Sequence, residues 1–225
     1  MTIDRRTALV AAVGAGALAT FPASAAAQTA AFAPQPLPFD PAAVPGLSAK
    51  LLTSHHDNNY VGAVKRLGAI RGEFGKLDMA TAPGFAINGL KREELIAWNS
   101  MVLHEIYFSG LGTPNRPGTP LASAIERDFG SMARWQAEYV AMGKALGGGS
   151  GWVMLAWSAH DRRLVNTWAA DHTMTLAGGT PILVLDMYEH AYAMDFGAKA
   201  AAYVDAVMAA TNWAAADARF AKASA

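Results

Sequence analysis

The sequence contains no cysteine, and this absence excludes several classes of site. Disulfides, thiolate metal sites, iron–sulfur clusters and cysteine nucleophiles all need a sulfur atom that the chain does not supply. Any metal ion must therefore be held by histidine and carboxylate side chains. That donor set favours borderline or hard ions such as iron, manganese or zinc.

Charged residues are also few. They make up 16% of the 225 residues, and the formal net charge is zero. This balance gives no indication of a nucleic-acid partner or of binding to an acidic membrane surface. Because 52% of the residues are hydrophobic, the chain has enough apolar surface for a substantial core and is not expected to be disordered.

The first residues resemble a targeting signal. Arg5 and Arg6 form a twin-arginine pair, and an apolar, alanine-rich run from Ala8 to Phe21 follows them. Small residues around Ala25 and Ala27 fit a small-x-small cleavage pattern. We predict that residues 1–27 are a twin-arginine signal peptide and that the mature protein is exported, for example to the periplasm, without a membrane segment. An uncleaved membrane anchor is the alternative interpretation.

The next part of the chain is predicted to be helical after an extended lead-in. Residues 28–46 contain five prolines, which interrupt any helix. Residues 47–113 are predicted to form a helical hairpin domain, with one helix from the N-cap candidate Ser48 to about Ile70 and a second from about Lys91 to Ser109. A proline-containing segment over 112–120 marks the boundary to a C-terminal domain, residues 118–225.

Residues 118–225 are predicted to mix helices and strands. A helix over 120–146 is broken near Phe129 and Gly130, and two short strands, 152–157 and 164–169, flank a polar turn. A third strand covers 181–185, and helical segments are predicted from Asp186 to about Met194, over 199–210 and over 212–222. The predicted fold class is α+β: an N-terminal helical hairpin followed by an α/β domain with a small, about three-stranded, antiparallel sheet.

Three positions are candidates for a metal site on their spacing and surroundings. Asp186 and His190 stand four residues apart, which lets both side chains meet one ion if the segment is helical or passes from strand to helix. The same spacing fits an acidic helix start followed by an interior histidine. His104 lies in an apolar helical pattern, so it is predicted to be buried and either hydrogen-bonded or bound to a metal.

The remaining histidines are less informative by themselves. His55 and His56 are adjacent in the first predicted helix, and neighbouring helical residues do not share a face. Only one of the two can point at a given site, and the pattern barely chooses between them. His172 follows the second predicted strand and, taken singly, fits a loop histidine.

Taken in order, however, these motifs resemble the iron/manganese superoxide dismutases. The most specific of them, Asp-Met-Tyr-Glu-His-Ala-Tyr from Asp186 to Tyr192, is close to the family signature Asp-x-Trp-Glu-His-Ala-Tyr, with Tyr188 in place of Trp. The resemblance covers roughly residues 37–222, nearly all of the mature chain. The matching segments are 54–61, 103–108, 129–131, 149–152, 185–192 and 212–213.

The resemblance implies a single redox metal ion. Three histidines and one aspartate bind one iron or manganese ion in this family, and the matching positions are His55, His104, Asp186 and His190. It implies a metal-dependent dismutase that converts superoxide to dioxygen and hydrogen peroxide and protects against superoxide. The sequence does not choose between iron and manganese, because both ions accept the same ligands.

The resemblance also implies roles around the metal. His172 matches an outer-sphere residue that reaches the metal-bound solvent, and Trp152 and Tyr188 match positions that line the site. Glu189 matches the residue that bridges to the partner subunit's His190. We therefore expect a homodimer or a dimer of dimers with a two-fold interface close to the metal.

Three positions depart from the family together. A His, a Tyr and another Tyr that form the usual gateway and hydrogen-bond relay are replaced by Asn59, Ala63 and Ala193. One hypothesis is that Tyr60 leans into the vacated space. The departures predict a rebuilt proton route and leave two alternatives to dismutation: an oxidase- or peroxidase-like activity on the same scaffold, or a non-catalytic metal-binding role.

Overall fold

The computed structural model describes residues 33–225. The predicted signal peptide and the first five residues of the lead-in, 28–32, lie outside the described residues. Among the described residues, none of the helices combines the length and the apolar character that crossing a bilayer needs.

The first predicted helix forms, but a different kind of turn interrupts it. Helix α1 covers Ala49–Ser54, and its predicted N-cap is confirmed because the Ser48 Oγ accepts from the Leu51 N–H at 3.0 Å. A π-helical turn, His55–Tyr60, follows directly and leads into α2, Val61–Phe74. Apolar periodicity gives no signal for this turn, because it is set by a change from i→i+4 to i→i+5 hydrogen bonds.

Helix α3 is longer than predicted. It covers Gly84–Ser109 and so begins at Gly84, not near Lys91. Glycines 84 and 89 argue against a helix on propensity alone. Pro83 nevertheless supplies an extended residue at which the helix starts, and the half-buried Leu90 packs against the core. Helices α2 and α3 pack together as the predicted hairpin.

The second half contains the predicted sheet. Helices α4, Thr119–Phe129, and α5, Met132–Ala145, are separated where Gly130 adopts a φ of 87°, so the predicted break is confirmed. Strands β1 (Trp152–Ser158), β2 (Arg163–Ala169) and β3 (Gly179–Asp186) form one antiparallel sheet with the order β2-β1-β3. The predicted α+β class and its three strands are therefore confirmed.

The segment after the sheet corrects one expectation. Asp186 is the last residue of β3, paired with Trp152 across the sheet, and Tyr188 is also extended, so no helix begins at Asp186. A 3₁₀ turn covers Glu189–Ala191. The chain then forms three helices: α6 (Ala193–Phe196), α7 (Ala200–Ala209) and α8 (Ala214–Ala223).

One hydrophobic core joins the helical hairpin to the sheet. Helices α3 and α8 pack on β3, while α4 and α5 pack on β2 and β1. Helix α5 also approaches β3 closely, because a Cβ added at Gly143 would lie only 2.7 Å from the Leu185 Cδ2. This packing brings the C-terminal part of α3, with His104, and the π-helical turn to the end of β3.

Candidate metal centre

Four side chains from four different segments meet at the carboxyl end of β3. His55 begins the π-helical turn and His104 lies in α3. Asp186 ends β3, and His190 lies in the 3₁₀ turn that follows. One potential ligand atom from each residue lies within 4.8 Å of all the others.

The convergence centres on one carboxylate oxygen. The Asp186 Oδ2 lies 3.1 Å from the His55 Nε2 and 3.3 Å from the His190 Nε2. The His104 Nε2 lies 3.5 Å from the same oxygen. Atoms that share a metal ion at about 2 Å are roughly 3 Å apart, so these spacings fit a common ion.

Burial sets the charges of these groups. His55, His104 and Asp186 are at most 1% exposed, whereas the His190 side chain is 25% exposed. Burial lowers the pKa of His55 and lowers the pKa of His104 to about 3, so both rings are neutral near pH 7. Burial alone would raise the pKa of Asp186, but hydrogen bonds from His190 and His55 outweigh it and hold that pKa well below its usual range.

Hydrogen bonds aim two of the four ligands. The His104 Nδ1–H donates to the Ser100 carbonyl oxygen at 2.6 Å, which leaves the lone pair of Nε2 directed at the centre. The second oxygen of Asp186, Oδ1, accepts from the Tyr188 N–H at 2.8 Å. Behind the ligands, the Tyr203 hydroxyl donates to the Asp186 carbonyl oxygen at 2.8 Å.

The His104 Nε2 tests whether a metal fits. It is buried and has no hydrogen-bond partner anywhere in residues 33–225, although buried polar atoms nearly always have one. A metal ion would satisfy this lone pair. Three imidazole nitrogens and one carboxylate oxygen form a donor set that iron or manganese accepts. The residues present therefore fit the ion that the sequence predicts.

His172 lies beside the centre but is not one of the converging ligands. Its Nδ1 accepts from the Trp152 Nε1–H at 2.9 Å, and its backbone carbonyl accepts from the Asn99 amide at 2.6 Å. The ring centroid lies 6.3 Å from that of His104, and burial lowers the pKa of His172. A neutral imidazole is thus fixed one layer outside the ligands.

Tyr188 lies between this outer histidine and a ligand. Its ring stacks on His172 at 4.8 Å and 14°, and on His190 at 5.3 Å and 16°. Burial raises the pKa of the Tyr188 hydroxyl to about 12, so it stays protonated. Together with Trp152, whose ring meets the His104 ring edge-on at 5.2 Å, Tyr188 and the outer histidine form an aromatic wall beside the ligands.

Of the altered gateway positions, Asn59 lies in the π-helical turn with the ligand His55, whereas Ala63 lies in α2 and Ala193 begins α6. Ala63 is buried, Asn59 is half-buried and Ala193 is exposed. Tyr60 does not lean toward the ligands: its hydroxyl donates to Glu105 and accepts from the Gln35 N–H, so that hypothesis is wrong. Sequence reasoning missed both of these contacts, because the groups are 45 and 25 residues away from Tyr60 along the chain.

Comparison with known proteins gives matches along most of the chain. A family model for the C-terminal domain of iron/manganese superoxide dismutases matches residues 117–219. An iron superoxide dismutase of Cupriavidus metallidurans is 65% identical over 189 residues, which cover 84% of this chain and 96% of that protein. An iron enzyme of Aquifex pyrophilus is 33% identical, with coverages of 79% and 86%. A manganese enzyme of Halobacterium salinarum is 30% identical, with coverages of 79% and 89%.

Replacing His104 tests the centre directly. In His104→Gln the buried nitrogen aimed at Asp186 is lost. We expect metal affinity to fall by more than the roughly 10–100-fold that loss of an outer-shell partner causes. Metal content after dialysis against a chelator measures this. His160→Gln, at an exposed position in the β1–β2 turn, is the matched control and should keep wild-type metal content. Full metal retention by His104→Gln would contradict the assignment.

Proposed function

Because this chain belongs to the iron/manganese superoxide dismutase family, we propose that it is a metal-dependent superoxide dismutase that works with iron. The observation that carries this function is the convergence of three imidazole nitrogens on one ionised carboxylate in a buried site. An ion held there supplies one-electron redox chemistry, so that one superoxide leaves as dioxygen and another, with two protons, as hydrogen peroxide. Iron is proposed over manganese because the 65% identical relative is named an iron enzyme.

The chain's own residues supply charge balance and orientation. The ionised carboxylate of Asp186 would offset part of the charge of the ion, while the neutral rings of His55 and His104 would donate lone pairs and leave it able to change oxidation state. We propose that His172 is the outer-sphere partner that orients solvent and protons at the site. The hydrogen bond from Trp152 and the stack on Tyr188 support this role, because they hold the His172 ring in one orientation beside the ligands.

An oxidase- or peroxidase-like activity is not favoured. The observation that suggests such an activity is the loss of the gateway side chains at Asn59, Ala63 and Ala193. The three relatives described above are named superoxide dismutases, with either iron or manganese, and the ligand set expected for that chemistry is complete.

Turnover can be separated from metal binding through His172. We expect iron-loaded wild-type protein to remove superoxide and the metal-free protein to be inactive. His172→Ala should keep its iron but lose activity by roughly 10–100-fold, as outer-shell changes do. A superoxide assay paired with elemental analysis makes the measurement. A fully loaded wild type without superoxide turnover would refute the function, and full activity in His172→Ala would refute only the role of His172.

We further propose that the protein forms a homodimer with its two-fold axis near the metal centre. Glu189 is exposed, and its side chain takes part in none of the ion pairs or hydrogen bonds within residues 33–225. The adjacent ligand His190 is the partly exposed member of the site. In a two-fold dimer the Glu189 carboxylate would gain a hydrogen-bond partner if it reached the ring of the partner subunit's His190.

The dimer is tested by neutralising that carboxylate. We expect Glu189→Gln to raise the dimer dissociation constant by about 10-fold or more, because the charge-assisted hydrogen bond of a carboxylate is replaced by the weaker bond of a neutral amide. Sedimentation velocity over a concentration series measures the shift. Glu126→Gln, on an exposed position of α4, is the control and should sediment as wild type. Equal behaviour of the two variants would contradict the proposed bridge.

Export is proposed from the twin-arginine pair and the apolar run after it. We expect the double variant Arg5→Lys, Arg6→Lys to leave the protein inside the cell, because such a signal is read by a receptor that requires the paired guanidinium groups. Cell fractionation with antibody detection locates the protein. Arg134→Lys, an exposed change in α5, is the control. Undiminished export of the double variant would refute this route.

A further inference from the structure

A short extended segment, residues 33–40, precedes the first helix, and we refer to it as the N-terminal strap. The backbone of Gln35 makes two hydrogen bonds from this strap. Its N–H donates to the Tyr60 hydroxyl at 2.9 Å, and its carbonyl oxygen accepts from the His56 Nε2 at 2.8 Å. Both partners belong to the π-helical turn that begins with the ligand His55. One strap residue therefore binds this turn through two hydrogen bonds.

A further hydrogen bond connects these contacts to the helix of the second ligand. Tyr60 is only 1% exposed, and its hydroxyl donates to the Glu105 Oε1 at 2.9 Å. Glu105 is the residue after the ligand His104 in α3. The Tyr60 hydroxyl thus accepts from the strap and donates to α3. It is the point at which the strap, the π-helical turn and α3 are tied together.

Phe108 carries this arrangement to the ligands. Its ring centroid lies 5.7 Å from that of His56 and 6.4 Å from that of Tyr60. On its other side, Phe108 lies 5.0 Å from His55 and 6.3 Å from His104. A cavity of about 210 Å³ lies between the strap and Phe108. Phe108 therefore packs between the residues bound by the strap and two of the metal ligands.

His55 depends on such packing more than His104 or Asp186 does. The outer nitrogen of His104 is fixed by a carbonyl oxygen, and Asp186 by a backbone N–H. The buried His55 Nδ1, by contrast, has no hydrogen-bond partner within the described part of the chain. A metal-bound histidine is usually aimed by a hydrogen bond at that nitrogen. The direction of the His55 ring must come from its backbone turn and from neighbouring rings.

We propose that the backbone of Gln35 is a positioning element for the metal centre. Its hydrogen bonds to His56 and Tyr60 hold the π-helical turn and Phe108 in place, and so fix the direction of the His55 ring. Gln35 touches none of the ligands and acts only through the turn. The proposal rests on the metal-dependent function given above and adds a residue that is far from the ligands in sequence.

The chain offers a matched pair of substitutions at one position. Gln35→Pro removes the N–H that Tyr60 accepts, while an extended segment between Pro34 and Pro36 tolerates another proline. Gln35→Ala keeps both backbone groups. Both variants lose the exposed side-chain bond to the Ala33 carbonyl, so that contact cancels in the comparison.

We expect Gln35→Pro to release iron to a chelator about 10-fold faster than wild type, within the range seen for outer-shell changes, and to alter the EPR spectrum of the ferric protein. Gln35→Ala should match wild type in both. The thermal midpoint of the metal-free protein is measured alongside. Equal release from the two variants, or faster release accompanied by an equally large loss of metal-free stability, would overturn the proposal.

A second variant tests the proposal even if Gln35→Pro folds poorly. Tyr60→Phe keeps the buried ring but removes the hydroxyl that joins the strap to Glu105. It should also speed iron release and change the EPR spectrum, and a wild-type rate and spectrum would count against the strap. Failure of the proposed metal function gives a different result. In that case the wild-type protein would itself hold neither iron nor manganese, and both proposals would be refuted.

Discussion

The ionised carboxylate of Asp186 is the group around which the rest of the site is arranged. It is fully buried, and an isolated buried charge is strongly unfavourable unless it is paired and hydrogen-bonded. Three imidazole nitrogens lie 3.1–3.5 Å from one of its oxygens, and the other oxygen accepts a backbone N–H. An arrangement that keeps a buried carboxylate charged among three imidazole nitrogens is suited to a cation.

Meeting this requirement links the two halves of the fold. Asp186 and His190 come from the end of the sheet, whereas His55 and His104 come from the helical hairpin. Helix α3 must therefore pack against β3 with the His104 turn at the strand end. The bond from Tyr203 to the Asp186 carbonyl fixes the strand end from behind. Metal binding and the packing of the two halves are consequently one structural problem.

The surroundings of the ligands differ on the two sides. On the sheet side, Trp152, His172 and Tyr188 form an aromatic wall that holds an outer histidine one layer from the metal ligands. On the hairpin side, Phe108 separates His55 from the strap, and hydrogen bonds beyond it tie three segments together at the Tyr60 hydroxyl. The first side carries polar groups suited to solvent and protons. The second carries groups suited to holding a ligand still.

The sequence by itself determined the features that depend on local pattern. These include the N-cap at Ser48, the helix break at Gly130, the three strands and, through the order of the motifs, the four ligands. Tertiary structure alone decided that Asp186 ends a strand, that a π-helical turn follows α1, and that Tyr60 binds the strap instead of facing the ligands. The end of β3 and the Tyr60 bond depend on contacts between residues far apart in the chain, and the π-helical turn depends on a shift of backbone hydrogen bonds that apolar periodicity does not report. Periodicity and spacing describe only near neighbours, so such contacts leave no trace in the sequence pattern.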